Sequence, residues 1–335
     1  MKPVIFGIAG LQLDSSERAF FADAAPLGFI LFKRNVATRE QVRALTDALR
    51  DLTGRDDLPI LIDQEGGRVA RLGPPEWPAF PAGPAFDRLY DIAPMSAIQA
   101  MRANGEALGL MLSEVGITAD CAPILDVARP DTTEAIACRA YGAEPMRVAA
   151  LGRAMLAGLR AGGVVGIVKH MPGHGRAVQD THHDLPTVAA AAAELEADLE
   201  PFRTLRDAPM GMTAHILFSA WDAARPATLS PVVVEQVIRG QIGFDGLLMT
   251  DDIDMKALSG TPADKAAGAL AAGCDVVLDC WARMAEMAAI VERIDDCGAR
   301  TLARLDRAMA MRDAPAGEMA ALIARRDAFL ALADG

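Results

Sequence analysis

The sequence has no Cys-x-x-Cys pair and no excess of positive charge. Its five cysteines are odd in number, so we expect reduced, mostly buried thiols of a cytoplasmic protein rather than a disulfide framework. The formal net charge of −12 offers no basic face, which argues against nucleic acid and against anionic membranes as partners.

Long apolar runs are also absent. No segment has the roughly eighteen consecutive apolar residues that a membrane helix needs. The apolar start, residues 1–10, is too short and too interrupted by glycine for a signal peptide, which again favours the cytoplasm. Hydrophobic residues nevertheless make up 52% of the chain, so a large core is expected.

Eight short apolar runs recur, each followed by a polar or glycine-containing loop. Most are continuous rather than alternating, which is typical of strands buried on both faces. Helical patterns separate them, as in residues 38–52, 97–112, 144–159 and a segment capped by Ser230 that extends to Ile238. The runs are residues 3–8, 28–32, 59–63, 117–122, 164–169, 211–215, 246–251 and 274–279.

Eight strands separated by helices predict an α/β fold, a single (β/α)8 TIM-type barrel with C-terminal helical decoration. We expect one domain over residues 1–335, with the barrel core at about 3–300 and the added helices at about 300–335. No second domain boundary is evident in the sequence.

Titratable residues collect at the carboxyl ends of these predicted strands, where barrels build their sites. The ends meet at one mouth and form a pocket with both charges and no glycine-rich phosphate motif, which suits a polar ligand such as a sugar. His215, at the sixth strand end, is equally well explained as a core histidine. The other groups are Asp63 and Arg71 after the third strand, Asp126 and Arg139 after the fourth, Lys169 and His170 at the fifth, and Asp251 at the seventh.

A histidine-rich segment, residues 169–183, suggests an alternative in which the site binds a catalytic zinc ion. His170 and His174 with Asp180, His182 and His183 contain enough ligands for a catalytic metal. Against this, Pro172 and Gly173 separate the first two histidines, so they do not share a helix face. The chain also has no second His or Cys cluster, and we expect no metal.

Four short segments in collinear order resemble the family 3 glycoside hydrolases, specifically the single-domain bacterial β-N-acetylglucosaminidases of the NagZ type. They are DQEGGRVARL at 63–72, KHMPGHG at 169–175, DTHHDLP at 180–186 and LLMTDDIDM at 247–255. The resemblance covers about residues 5–280. Two departures are Met171, where phenylalanine is usual, and Thr181, where serine is usual.

This resemblance implies roles for particular residues and implies that no cofactor takes part. Asp251 matches the catalytic nucleophile, and Asp180 with His182 matches a dyad in which the histidine is the general acid/base. The positions that match sugar-binding residues are Asp63, Arg71, Arg139, Lys169 and His170.

The implied activity is that of a retaining exo-β-N-acetylglucosaminidase. Its substrate would be a saccharide or muropeptide, N-acetylglucosaminyl-1,6-anhydro-N-acetylmuramic acid, in peptidoglycan recycling. A histidine, with an ordinary pKa near ~6.5, suits proton exchange at neutral pH. A broader β-glycosidase or a phosphorylase of the same family is the alternative, and a non-catalytic sugar-binding barrel is a third reading. The sequence does not indicate the oligomeric state.

Overall fold

The computed structural model describes residues 1–179 and 184–333. The strands are β1 (Lys2–Gly7), β2 (Pro26–Leu31), β3 (Ile60–Ile62), β4 (Ala119–Asp120), β5 (Val165–Met171), β6 (Thr187–Val188), β7 (Met210–Thr213), β8 (Leu217–Phe218), β9 (Leu247–Asp252) and β10 (Val276–Asp279). Eight of them close a parallel barrel in the order β1-β10-β9-β7-β5-β4-β3-β2, and β6 pairs with β8 outside it. The predicted (β/α)8 barrel is confirmed.

Helices surround the barrel. They are α1 (Ser15–Ala24), α2 (Arg39–Thr53), α3 (Gly83–Ile92), α4 (Pro94–Glu114), α5 (Glu134–Ala137), α6 (Pro145–Ala161), α7 (Ala192–Thr204), α8 (Pro262–Ala272), α9 (Met284–Arg293), α10 (Ala299–Met309) and α11 (Met319–Leu330). A π-helix spans Val232–Ile242, and short 3₁₀ turns lie at Lys33–Asn35, Ala227–Leu229 and Ala331–Ala333. No helix within the described ranges is long and apolar enough to cross a membrane.

The predicted helices form, with differences at their ends. Thr38 caps α2, because its hydroxyl accepts the N–H of Gln41 at 3.2 Å. Ser230 likewise accepts the N–H of Val233 at 3.1 Å. That helix continues past Ile238 to Ile242, because Ile242 is buried on the same apolar face, and it is π-wound. Helix α3, which interrupts the proline-rich link before α4, was not predicted.

Two hydrophobic layers make up the core. One fills the barrel, with residues such as Ile5 and Leu278, and the other lies between the barrel and its helices. Helix α10 adds Leu305 and Met309 to the inner layer. Its Arg304 donates to Asp275, just before β10, at 2.8 Å, so α10 covers the amino-terminal ends of the strands. The opposite, carboxyl-terminal mouth holds the polar residues.

Candidate active site

A cavity opens at the carboxyl ends of the barrel strands. Its walls include all of the predicted site residues that fall within the described part of the chain: Asp63, Arg71, Arg139, Lys169, His170 and Asp251. Parallel strands bring these side chains together although up to 188 positions separate them along the chain, from Asp63 at position 63 to Asp251 at position 251. The other two predicted residues, Asp180 and His182, lie outside the described residues.

A buried carboxylate, Glu65, organises the cationic side of the cavity. Arg139 donates to both of its oxygens, at 2.8 Å and 2.6 Å, and Lys169 lies 2.6 Å from Oε1. Burial works to raise the pKa of Glu65, but the charges of Arg139 and Lys169 outweigh it and hold that pKa well below its usual range. Glu65 is therefore ionised and anchors both cations.

Glu65 was not predicted as a site residue, although it lies within the DQEGGRVARL segment. A backbone feature holds it in place, because the next residue, Gly66, has φ of +102° and packs against Pro81. A Cβ at Gly66 would lie 2.4 Å from the Pro81 carbonyl oxygen, so only glycine fits. The glycine pair of this motif is the sequence signal that marks the turn.

Asp63 connects two of the three cationic side chains of the cavity wall, Arg71 and Lys169. Its Oδ2 accepts from Arg71 at 3.0 Å, and its Oδ1 accepts from Lys169 at 3.3 Å. Burial works to lower the pKa of Lys169, but Glu65 and Asp63 outweigh it and raise that pKa. The ammonium group therefore stays charged at neutral pH and can donate to a bound hydroxyl group.

The KHMPGHG turn is held by Asp126. Its Oδ2 lies 2.7 Å from Nδ1 of His170, and its Oδ1 accepts the backbone N–H groups of His170 at 3.2 Å and His174 at 2.6 Å. Gly175 lets the turn lie directly on the chain at Val127, where a Cβ would come within 1.8 Å of the carbonyl oxygen. Asp126 thus orients the His170 ring toward the cavity.

Asp251 and its neighbour Asp252 differ in their protonation. Burial works to raise the pKa of Asp251, but the His170 and His215 rings lower it below its usual value. The pKa of Asp252 is raised to about 6, mainly by burial and also by the charge of Asp251. Asp251 is accordingly the carboxylate at this strand end that is fully ionised at neutral pH, which is the state a nucleophile needs.

His215 is held by the protein at both ring nitrogens. Nδ1 lies 2.7 Å from the Thr228 hydroxyl, and Nε2 lies 2.9 Å from the carbonyl oxygen of Asp252. The side chain is buried, and burial lowers its pKa. These contacts fit the alternative of a hydrogen-bonded core histidine, one that supports the backbone next to Asp251.

The described residues on either side of positions 180–183 are held by hydrogen bonds. Before these positions, Ala177 donates to the His174 carbonyl at 3.0 Å, and Arg176 donates to buried Asp198 at 2.6 Å. After them, β6 pairs with β8.

A family model described as the glycosyl hydrolase family 3 N-terminal domain matches residues 9–311. The chain belongs to the family 3 glycoside hydrolases. The expected family and the expected enzyme class, a glycoside hydrolase, are thereby confirmed. A β-hexosaminidase of Alkalilimnicola ehrlichii is 38% identical over 283 residues, which cover 83% of this chain and 80% of the relative.

Solved structures of family 3 enzymes superpose on the whole barrel. NagZ from Neisseria gonorrhoeae in complex with N-trifluoroacetyl-D-glucosamine is 31% identical, with a TM-score of 0.87 over 99% of this chain and 98% of that one. The same gonococcal protein in complex with a zinc ion is 30% identical, with a TM-score of 0.85 over 100% of this chain and 98% of that one.

The described residues include only two of the five potential zinc ligands in the histidine-rich segment, His170 and His174. Within residues 1–179 and 184–333, no group of three His, Cys, Asp or Glu side chains is arranged to hold an ion. His170 and His174 are near one another, with ring centroids 5.5 Å apart. The other three candidate ligands, Asp180, His182 and His183, lie outside the described residues, so the absence of a metal remains a prediction.

Proposed function

We propose that this chain, a glycoside hydrolase of the β-N-acetylhexosaminidase type, is a retaining exo-β-N-acetylglucosaminidase of peptidoglycan recycling in the cytoplasm. Its substrate would be N-acetylglucosaminyl-1,6-anhydro-N-acetylmuramic acid and the peptide-bearing forms of that disaccharide. The observation that carries the proposal is the ionised Asp251 in a cavity walled by Asp63, Arg71, Arg139, Lys169 and His170.

The wall residues suit the hydroxyl groups of one terminal sugar. Asp63 accepts hydrogen bonds, while Lys169 and Arg71 donate them, and each is held by an ion pair within the wall. A wall whose charged groups are already positioned loses little entropy when a sugar binds. Such contacts act in the ground state and in the transition state alike, so they bind and orient the sugar more than they accelerate the reaction.

In the first step, a carboxylate oxygen of Asp251 attacks the anomeric carbon of the bound N-acetylglucosamine. The bond from that carbon to the leaving-group oxygen breaks as His182 donates a proton to the oxygen. Asp180 accepts a hydrogen bond from the other ring nitrogen and stabilises the charged imidazole. The products of this step are the released sugar and a glycosyl ester of Asp251.

In the second step, a water molecule gives a proton to His182 and attacks the anomeric carbon. The ester bond to Asp251 breaks, and the carboxylate is regenerated. Two inversions at the same carbon retain the β configuration. The chemistry uses side chains of this chain alone.

The competing functions differ in their products. A phosphorylase would transfer the sugar to phosphate, because an imidazole base does not repel this anion as a carboxylate would. A binding barrel would release nothing. Mass spectrometry of products from purified muropeptides and from chitobiose, with and without phosphate, separates the three. The proposal requires free N-acetylglucosamine at equal rates in both buffers, and a sugar phosphate or unchanged substrate would overturn it. Cell fractionation tests the cytoplasmic location.

A further inference from the structure

A second cavity adjoins the first at the nucleophile. Its lining includes Phe32, Trp281 and Met255, and it shares Asp63, Arg71, Asp251 and Met255 with the first cavity. The two cavities therefore adjoin at these shared residues, Asp251 among them, and we treat them as two halves of one groove: a charged half and a half that also has aromatic walls. A two-sugar ligand attacked at Asp251 has one ring in each half.

Trp281 is the distinctive residue of the second half. It lies two residues after the end of β10, and 56% of its surface is exposed, although most large apolar side chains of this protein are buried. Its indole Nε1 donates to Oδ2 of Asp252 at 3.0 Å. This bond fixes the ring beside the groove, so a large apolar face is held in place and left open to solvent.

Phe32 forms a second aromatic surface of the same half. Two guanidinium groups lie over its ring, with the Arg34 group 4.8 Å and the Arg71 group 5.5 Å from the ring centroid. Arg34 is itself held by the backbone, since it donates to the Ile8 carbonyl at 2.7 Å and to that of Cys280. Phe32 is therefore held by two cation–π contacts, and it lines the second cavity.

We propose that Trp281 is the stacking residue of a second sugar subsite, which receives the ring that leaves in the first step. The inference rests on the proposed function. The charged half matches the hydroxyl groups of the terminal sugar, whereas an indole face matches the apolar C–H face of a pyranose. The ligand class is thus a β-linked disaccharide whose second ring is a pyranose or an anhydropyranose.

Two substrates with the same terminal sugar test this assignment. Chitobiose has a second pyranose, and N-acetyl-β-glucosaminyl fluoride has a leaving group that neither stacks nor needs the subsite. We expect Trp281→Ala to lower kcat/KM for chitobiose roughly tenfold, equivalent to about 1.4 kcal/mol, and to leave that for the fluoride unchanged. Trp281→Phe keeps an aromatic face, so it should restore most of the chitobiose activity.

The same variants separate stacking from a structural role. Trp281→Phe also lacks the bond to Asp252, so equal losses in both variants would assign the effect to that bond and overturn the proposal. Equal losses of Trp281→Ala on both substrates, or weaker binding of free N-acetylglucosamine, would place Trp281 at the first sugar and overturn it as well. Wild-type protein that cleaves neither substrate would contradict the proposed function itself.

Binding of a sulfur-linked chitobiose, which resists hydrolysis, provides a readout independent of catalysis. The chain has three tryptophans, and Trp221 packs on Phe218 and lines neither of the two cavities. The fluorescence change on binding should vanish in Trp281→Phe and persist in the matched control Trp221→Phe. A change that persists in Trp281→Phe would contradict the stacking assignment.

Discussion

Arg139 and Glu65 form a two-point ion pair at the wall of the cavity, with Nε–Oε2 and Nη2–Oε1 distances of 2.8 Å and 2.6 Å. The Glu65 side chain is 6% exposed and that of Lys169, which shares its charge, is 3% exposed. Glu65 thus pairs with both Arg139 and Lys169 in a place with little water, and Asp63 is a second partner of Lys169. Removing a single partner of such a cluster leaves uncompensated buried charge.

Glu65→Gln should therefore lower the free energy of unfolding by about 3–5 kcal/mol at pH 7. Because the folded-state pKa of Glu65 is depressed, its contribution is full above the unfolded value near ~4.3 and declines as pH falls below it. Urea unfolding of both proteins between pH 3 and 8 measures this. The difference in free energy of unfolding between wild type and Glu65→Gln should become smaller only at acidic pH. A difference that grows at acidic pH would contradict the conclusion that Glu65 is ionised.

Asp251→Ala should abolish turnover and leave binding of N-acetylglucosamine largely intact. Loss of a covalent nucleophile costs several orders of magnitude in rate, whereas the sugar-binding wall is unchanged. A fluorinated sugar that traps the glycosyl-enzyme should label Asp251, as read by peptide mass spectrometry. Asp252 is the built-in control, because its pKa of about 6 leaves it partly protonated at neutral pH. Label on Asp252 would refute the proposed mechanism.

His182→Ala should strongly slow the first step for the natural disaccharide. For activated aryl glycosides the same step should be slowed much less. An aryl leaving group needs little protonation, but the second step still requires the base, so the glycosyl-enzyme should accumulate. Pre-steady-state kinetics would record this as a burst of aryl release. Equal losses on both substrates without a burst would mean that His182 has a structural role.

Arg139 and Asp180 should have separable effects on binding and rate. Arg139→Lys keeps a charge beside Glu65 but loses the two-point contact, so the dissociation constant of a neutral N-acetylglucosamine analogue should rise roughly tenfold. Asp180→Ala should instead lower kcat, because His182 loses the partner that orients it. Inhibitor affinity and kcat measured for both variants decide this. Equal weakening of inhibitor binding would place Asp180 among the sugar contacts.

Treatment with a chelator should leave activity unchanged. The zinc-bound gonococcal relative makes this test necessary, since this chain has His170 and His174 near the segment with three more potential ligands. Activity would be assayed after EDTA dialysis, with zinc restored in a parallel sample. Activity that disappears with EDTA and returns with zinc would replace the proposed mechanism with a metal-dependent one.

The linear pattern was sufficient for the barrel and for most of the cavity wall. Strands buried on both faces appear as continuous apolar runs, and parallel strands must place their carboxyl ends at one mouth. Asp63, Lys169 and Asp251 could therefore be placed together without coordinates. The positions of these residues along the chain do not show which carboxylate forms an ion pair with which cation.

Tertiary structure decided the pairing and the protonation. Glu65 acquires its importance from Arg139, 74 positions away, and Asp126 from the turn that it holds at His170. Asp251 and Asp252 are chemically identical in sequence. Their pKa values differ because the His170 and His215 rings outweigh burial and lower that of Asp251, whereas burial raises that of Asp252. These differences in pKa and in ion pairing depend on distances between side chains across the barrel mouth, and those distances are fixed only when all eight strands have closed into the barrel.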